Sequence, residues 1–384
     1  MSLPTRTEAQ LRQRQEQGQL TVRAAAEFRD LVVKAGLEEA YARTDVVVAA
    51  DACFTDQASL LLSLGPTDPP IRLRSAQLAG VSASCGHGST DFMLPMGGGL
   101  AEPARHGGAQ VLGALLAGAS VPLSALGDGT ALHPRRELHT ELSLERIAAG
   151  RLLLHRGISE NGVVAISSAE GLTASPYGPL LGPFSTGLYS CGGAGSIGLT
   201  MPGLALLGPG SPVLVGGAIG WVVGSGSGHN PKVKRQSSGH ALSPGCAAAL
   251  SVDLHDLQSQ WVRPCFFEGH GSGLLVAIAA PVPLINESVA RQAATGNDAL
   301  EAPVLDLAIP RRLKPSLGTA RYSDLLAGEL PIKGRPVGCA PSHSPRLAAA
   351  IGQELITRLT RGHFPLSLPL QPLNPRPTLV ALEA

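Results

Sequence analysis

Val46-Val47-Val48-Ala49-Ala50 reads as a strand buried on both faces, because three β-branched residues followed by two alanines leave it no polar side. Upstream, Thr5 to Gln17 reads as a polar helix with Thr7 and Gln10 as a capping box. Leu20-Thr21-Val22 reads as a short strand, and Ala24 to Ala35 as a second helix stopped by Gly36. Downstream, the apolar run Leu60 to Leu64 is broken by Gly65-Pro66-Thr67-Asp68-Pro69-Pro70, and Ile71-Arg72-Leu73-Arg74 alternates like a half-buried strand. His106 to Ala117 predicts a helix stopped by Gly118, and Leu142 to Ala149 a short helix capped by Ser143. Short strands and turns fill Val163 to Val276, and helical signals return only at Asn286 to Ala294 and Ser344 to Thr360. This alternation predicts a mixed α/β fold, with α+β as the alternative. It forms a single large domain with a glycine-rich, strand-and-turn middle, spanning residues 5–372 and followed by a C-terminal tail over 373–384; Pro365 to Pro377 reads as a proline-rich, extended end.

The chain has 384 residues, 44% of them hydrophobic and only 3% aromatic, so its core must be built from Leu, Val, Ile and Ala. A formal net charge of +1 argues against nucleic acid as a partner. The first twenty residues are polar, and no run reaches the ~18 apolar residues of a spanning helix. A soluble cytoplasmic protein acting on a small molecule is the expectation. None of the six cysteines forms Cys-x-x-Cys, and no histidine pair has helical spacing, so neither a metal site nor a disulfide framework is expected.

Between Gly171 and Val252 there is no aspartate or glutamate, and fifteen glycines lie from Gly182 to Gly228. Glycine lets backbone N–H groups approach a ligand, and a stretch without carboxylates does not repel an anion. Gly193-Ala194-Gly195-Ser196-Ile197-Gly198 matches a dinucleotide-binding pattern, but Pro202 and Gly203 end any following helix after one turn. A different use suggests itself for Cys191, in Ser190-Cys191-Gly192-Gly193: N–H donors around it would lower its pKa and make it a nucleophile. Gly224 to Gly228 forms a second turn running into His229, an acid/base candidate. Cys53 follows a strand, where α/β enzymes place reacting groups, and Cys85 has His87 two residues on. In Glu268-Gly269-His270 the carboxylate is placed to orient the imidazole.

Five segments resemble the homocysteine biosynthesis family, the aspartate-semialdehyde sulfurtransferases. They are Thr44-Asp45-Val46-Val47-Val48 running to Cys53; Gly65 to Ile71; Gly129-Thr130-Ala131-Leu132-His133-Pro134-Arg135; Gly216 to Val222 with Gly226-Ser227-Gly228-His229; and Pro281 to Glu287. The resemblance implies replacement of an aldehyde oxygen by sulfur. An external sulfur donor and a reductant are then required, and an iron–sulfur or sulfur-carrier protein is implied as partner; no bound cofactor is evident. Such chemistry needs a low-pKa sulfur nucleophile and donors for the substrate carboxylate and developing oxyanion.

The chain departs from the family at its two functional cysteines, which fall on Asp56 and Leu132. Cys53 and Cys191 are the available stand-ins. The expected site therefore has Cys191, Cys53 and His229 in catalytic roles. Asp56, Thr130, Arg135, Gly192, Gly193 and Gly228 would bind substrate.

Overall fold

The Val46 run does become a strand, Val46–Thr55, and it sits between two apolar layers. Val47 and Ala49 face the larger core, whereas Val46, Val48 and Ala52 face the helix Pro345–Thr360. That helix buries Leu347, Ile351, Leu355 and Leu359, each contributing about 1.5–3 kcal/mol. Its Gly352 lies directly over Ala50 and Val48, so helix and strand pack closely.

These relations come from a computed structural model, which describes residues 3–87, 90–98 and 105–375. Val46–Thr55 pairs in parallel with Val22–Ala24 and antiparallel with Gly271–Pro283. From there a fourteen-stranded sheet continues through Pro212–Val215, Ala218–Ser225, Ala247–Asp253, Ile147–Ser159 and Ala58–Leu64. It ends at Thr90–Pro95, Val81–His87, Leu73–Leu78, Val121–Gly127 and Glu137–Leu142, with Val262–Phe267 pairing the Gly271–Pro283 strand. A six-stranded sheet holds Val164–Ile166, Thr186–Tyr189 and Arg335–Pro341 beside its outer strands. Both sheets mix parallel and antiparallel pairs, and helices cover them, so the fold is mixed α/β as the sequence predicts.

The helices at Glu8–Glu16 (with the Thr7–Gln10 capping box), Ala25–Ala35, Gly108–Leu116, Glu287–Ala293 and Pro345–Thr360 agree with the sequence. Leu142 to Ala149 does not form the expected helix. Only Leu144–Arg146 makes a turn, and Ile147–Ser159 is a long strand, because sheet neighbours on both edges supply backbone partners that a short helix could not. Two helices had no sequence signal: Leu37–Ala42, which follows Gly36 directly, and Tyr322–Ala327, which is closed by Gly328 in the left-handed region. The proline-rich end runs without regular structure to residue 375 and buries Leu366 and Leu373; the rest of the tail lies outside the described residues.

Candidate functional site

Past Ala49 one face of the central strand leaves the core, and alternation sends Asp51, Cys53 and Thr55 to that face. There they line a cavity of about 210 Å³. Val276 and Ile278, register partners of Cys53 and Asp51, form part of its wall, and Leu154, Arg156 and Ser159 of the Ile147–Ser159 strand form another. The turn between Gly171–Thr173 and Leu180–Gly182 adds Pro176 and Tyr177.

The glycine-rich segment delivers Cys191. Thr186–Tyr189 ends, and the loop after it is pinned on several sides. Ser190 N–H donates to Val163 O (3.0 Å), Ala194 N–H to Asn297 Oδ1 (2.7 Å), Ala50 N–H to Gly195 O (3.0 Å), and Ile197 N–H to Asp51 Oδ2 (3.0 Å). Gly162 makes room for the thiol: a Cβ there would stand 2.5 Å from the Cys191 Cβ and 2.9 Å from its N. Gly193 has φ +75° and lies against Tyr322 and Asn297, so it too must be glycine. Cys53 and Cys191 therefore enter one cavity from different elements, and both are free thiols. The Cys53 Sγ donates to Ser190 O at 3.5 Å, one peptide unit from Cys191.

Their ionisation runs against the sequence expectation. Burial pushes the Cys191 thiol up to about 11, and the Asp51 carboxylate adds to it, outweighing Ser196, Tyr322 and the Gly193 N–H. Cys53 is raised well above the ordinary thiol value by burial, with Asp51 and Cys191 reinforcing. The pocket is also not free of acids. The uncharged stretch is uncharged only along the chain; Asp51 comes to it from the Val46–Thr55 strand and Asp56 from just past that strand's end. Burial lifts Asp51 to about 6, partly offset by the Ile197 N–H.

Arg156 is the cation of the cavity. Its Nε donates to Ser159 Oγ (2.7 Å). Burial lowers its pKa and only Tyr177 opposes that; among the described residues no carboxylate pairs with it. Gly228, with φ +68°, packs against its guanidinium. At the mouth, Asp56 Oδ2 accepts from His270 Nε2 at 3.0 Å, and Phe54 lies beside the imidazole. Glu268, expected to orient His270, instead pairs with Arg105 at 3.0 Å.

Of the predicted residues, Cys53, Asp56 and Cys191 line the cavity; Gly192 and Gly193 follow Cys191 in its loop, and Gly228 packs against Arg156, without lining it themselves. His229, Thr130 and Arg135 are likewise outside the cavity lining. His229 is buried, its Nδ1 accepting from Ala247 N–H (3.0 Å). Thr130 is exposed and accepts from His133 N–H (3.1 Å), and Arg135 donates to Glu137 O (3.1 Å). Thr130 and Arg135 lie in the last connection of the fourteen-stranded order, near Leu132, which is 80% exposed. Asp51, Arg156 and Tyr177 escaped the sequence reading. Asp51 was legible, being two residues from Cys53 on a strand; the others come from distant segments with no local pattern.

A model of the family described as homocysteine biosynthesis enzyme, sulfur-incorporation, matches residues 20–366. The chain belongs to the homocysteine biosynthesis family. It is 28% identical over 364 residues to an L-aspartate semialdehyde sulfurtransferase of Methanosarcina acetivorans, covering 94% of this chain and 70% of that protein. It is 26% identical over 339 residues to a protein of the same name from Methanocaldococcus jannaschii, where it spans 85% of this chain and 63% of the relative. No solved structure gives a significant match. No helix among the described residues is long and apolar enough to cross a membrane.

Proposed function

We propose that this family member transfers sulfur to the carbonyl carbon of a small amino-acid aldehyde such as L-aspartate semialdehyde, using Cys191 and Cys53. The observation that carries this reading is that two free thiols from separate elements share one cavity with an arginine that no carboxylate pairs among the described residues. Arg156 holds the substrate carboxylate, and Asp56 at the mouth meets its ammonium group.

Cys191 carries a persulfide received from an external donor of sulfane sulfur. The terminal sulfur adds to the aldehyde carbon, and the carbonyl oxygen takes a proton. Cys53 then attacks the Cys191 sulfur, which breaks the S–S bond, leaves a Cys53–Cys191 disulfide and frees a hydroxythiol. Loss of water gives the thioaldehyde. An external reductant supplies two electrons and two protons to the C=S bond, and two of each to the disulfide.

The test is homocysteine formation from L-aspartate semialdehyde, a sulfane donor and a reductant. Cys191→Ala and Cys53→Ala should each abolish turnover; full activity in Cys191→Ala would remove that thiol from the reaction.

A second reading is favoured by the two positions where the family resemblance expects cysteines. One holds Asp56 bonded to His270, and the other the exposed Leu132. On this reading the cavity binds an amino acid without reacting. Calorimetric binding of L-aspartate together with thiols that alkylate no faster than free cysteine would select it.

A further inference from the structure

We propose that His343 is the proton acceptor for the cavity's thiol chemistry, acting on Cys53. The inference rests on the reading of Cys53 as a reacting thiol, but not on the identity of the substrate.

The segment entering the helix Pro345–Thr360 crosses the end of the central strand. Ser344 N–H donates to Ala52 O at 2.8 Å, and His343 forms an isolated antiparallel bridge with Cys53. Residues directly opposed in such a bridge project to the same face with Cβ atoms about 4.5–5.5 Å apart. The His343 and Cys53 side chains therefore stand side by side. They also reach for consecutive carbonyls: His343 Nδ1 contacts Tyr189 O at 3.3 Å, and Cys53 Sγ contacts Ser190 O at 3.5 Å.

A carbonyl only accepts, so Nδ1 carries the imidazole proton and Nε2 bears the lone pair. That Nε2 is buried and has no hydrogen-bond partner among the described residues. A buried, unpartnered acceptor costs stability unless something uses it. It faces the residue that follows the second thiol: a Cβ on Gly192 would lie 3.4 Å from Nε2.

Among the described residues, Cys53 comes to the ring from the central strand, Tyr189 packs edge-on at 5.5 Å, and Gly192, next to Cys191, faces Nε2. Burial lowers the His343 pKa and the Tyr189 carbonyl partly opposes it; no charged side chain among the described residues contributes. The imidazole is thus neutral at neutral pH, where both thiols are protonated. When Cys53 attacks an electrophilic sulfur, its proton passes to His343 Nε2 as the new S–S bond forms. That removes the need for a free thiolate.

The test is the rate of Cys53 alkylation by iodoacetamide, followed by peptide mass spectrometry between about pH 5 and 10.5, on the whole chain without substrate. The wild type should show an inflection below the ordinary histidine value of ~6.5, then a plateau through neutrality. His343→Gln should lose the plateau, react about 10²-fold or more slowly at pH 7, and approach wild type only as pH rises and the thiolate forms unaided. A purely structural role would lower the rate by the same factor at every pH and overturns the proposal. A wild-type profile that climbs only with thiol ionisation overturns it as well, and needs no variant to fold. Loss of homocysteine formation in Cys191→Ala with the Cys53 profile intact would bear on the sulfur route alone.

Discussion

Replacing Arg156 by methionine separates a substrate-binding cation from a structural one. Arg156 lines the cavity, its pKa is lowered by burial, and its hydrogen-bond partner among the described residues is Ser159 Oγ. Methionine keeps the apolar stem. The lost bond to Ser159 costs about 1 kcal/mol, and removal of a half-buried charge with no carboxylate partner among the described residues offsets it. At ~2.1 cal/mol/K per residue, a chain of this length unfolds with an entropy of about 0.8 kcal/mol/K, so Tm should move by about 1 °C or less. The effect on substrate is much larger. A hydrogen bond to a charged group contributes about 1.5–3 kcal/mol, so KM for the semialdehyde should rise about 10- to 150-fold with kcat little changed. Arg156→Lys should recover only part of this, because an ammonium cannot offer the two-pronged fork. Steady-state kinetics and thermal unfolding together decide it. An unchanged KM, or a fall of more than about 4 °C in Tm, would refute the assignment of Arg156 as carboxylate anchor.

Gly162→Ala puts a methyl 2.5 Å from the Cys191 Cβ, so it should displace that thiol, cost about 1–3 kcal/mol and slow Cys191 alkylation while leaving Cys265 unaffected; thermal unfolding and peptide mass spectrometry report both. Asp51→Asn removes a carboxyl whose folded pKa, about 6, lies above its unfolded value of ~3.9. The stability such a group brings is fully present below the unfolded value and is lost as pH rises through about 6, so the variant's gain in Tm over wild type should be larger at about pH 7.5 than at about pH 4.5, and both cavity thiols should alkylate faster. Glu160 is fully buried, with Arg235 on both oxygens and the N–H groups of Gly203 (2.6 Å) and Cys246 (2.8 Å). Glu160→Gln should cost about 3–5 kcal/mol, a fall of about 4–6 °C in Tm by calorimetry, whereas Glu160→Met with Arg235→Met together should cost less.

Local patterns in the sequence carried the elements whose ends are chemically marked. Thr7 with Gln10, Gly36, Asn286 and Ser344 each bound a helix where expected, because capping is settled within a few residues. Leu142 to Ala149 misled for the opposite reason: its fate depends on strands up to a hundred residues away. The same division runs through the site. Cys191 and Cys53 were visible as thiols beside glycine and a strand end. That burial would raise their pKa values depends on Asp51 and on the wall built by Val276 and Ile278, a neighbourhood created by pairing between distant strands. His343 lies 290 positions after the residue it bridges, and nothing near it in sequence marks the contact.

The two cavity thiols sit deeper than the position the family resemblance assigns to its first cysteine. Asp56 lies just past the end of the Val46–Thr55 strand, where its carboxylate meets His270 at the mouth. Cys53, three residues earlier, is within the paired strand, opposite Val276. Moving a thiol inward shields a sulfur intermediate from water but makes the thiolate harder to form, so an inward thiol needs a base that is also inside the wall. Two other cysteines control for that argument. Cys246 and Cys339 are raised to about 11, by burial first, and neither lines the cavity. Raised pKa alone would leave Cys53 as inert as these two at neutral pH. Any excess reactivity of Cys53 over them, beyond what access to reagent explains, measures what His343 adds.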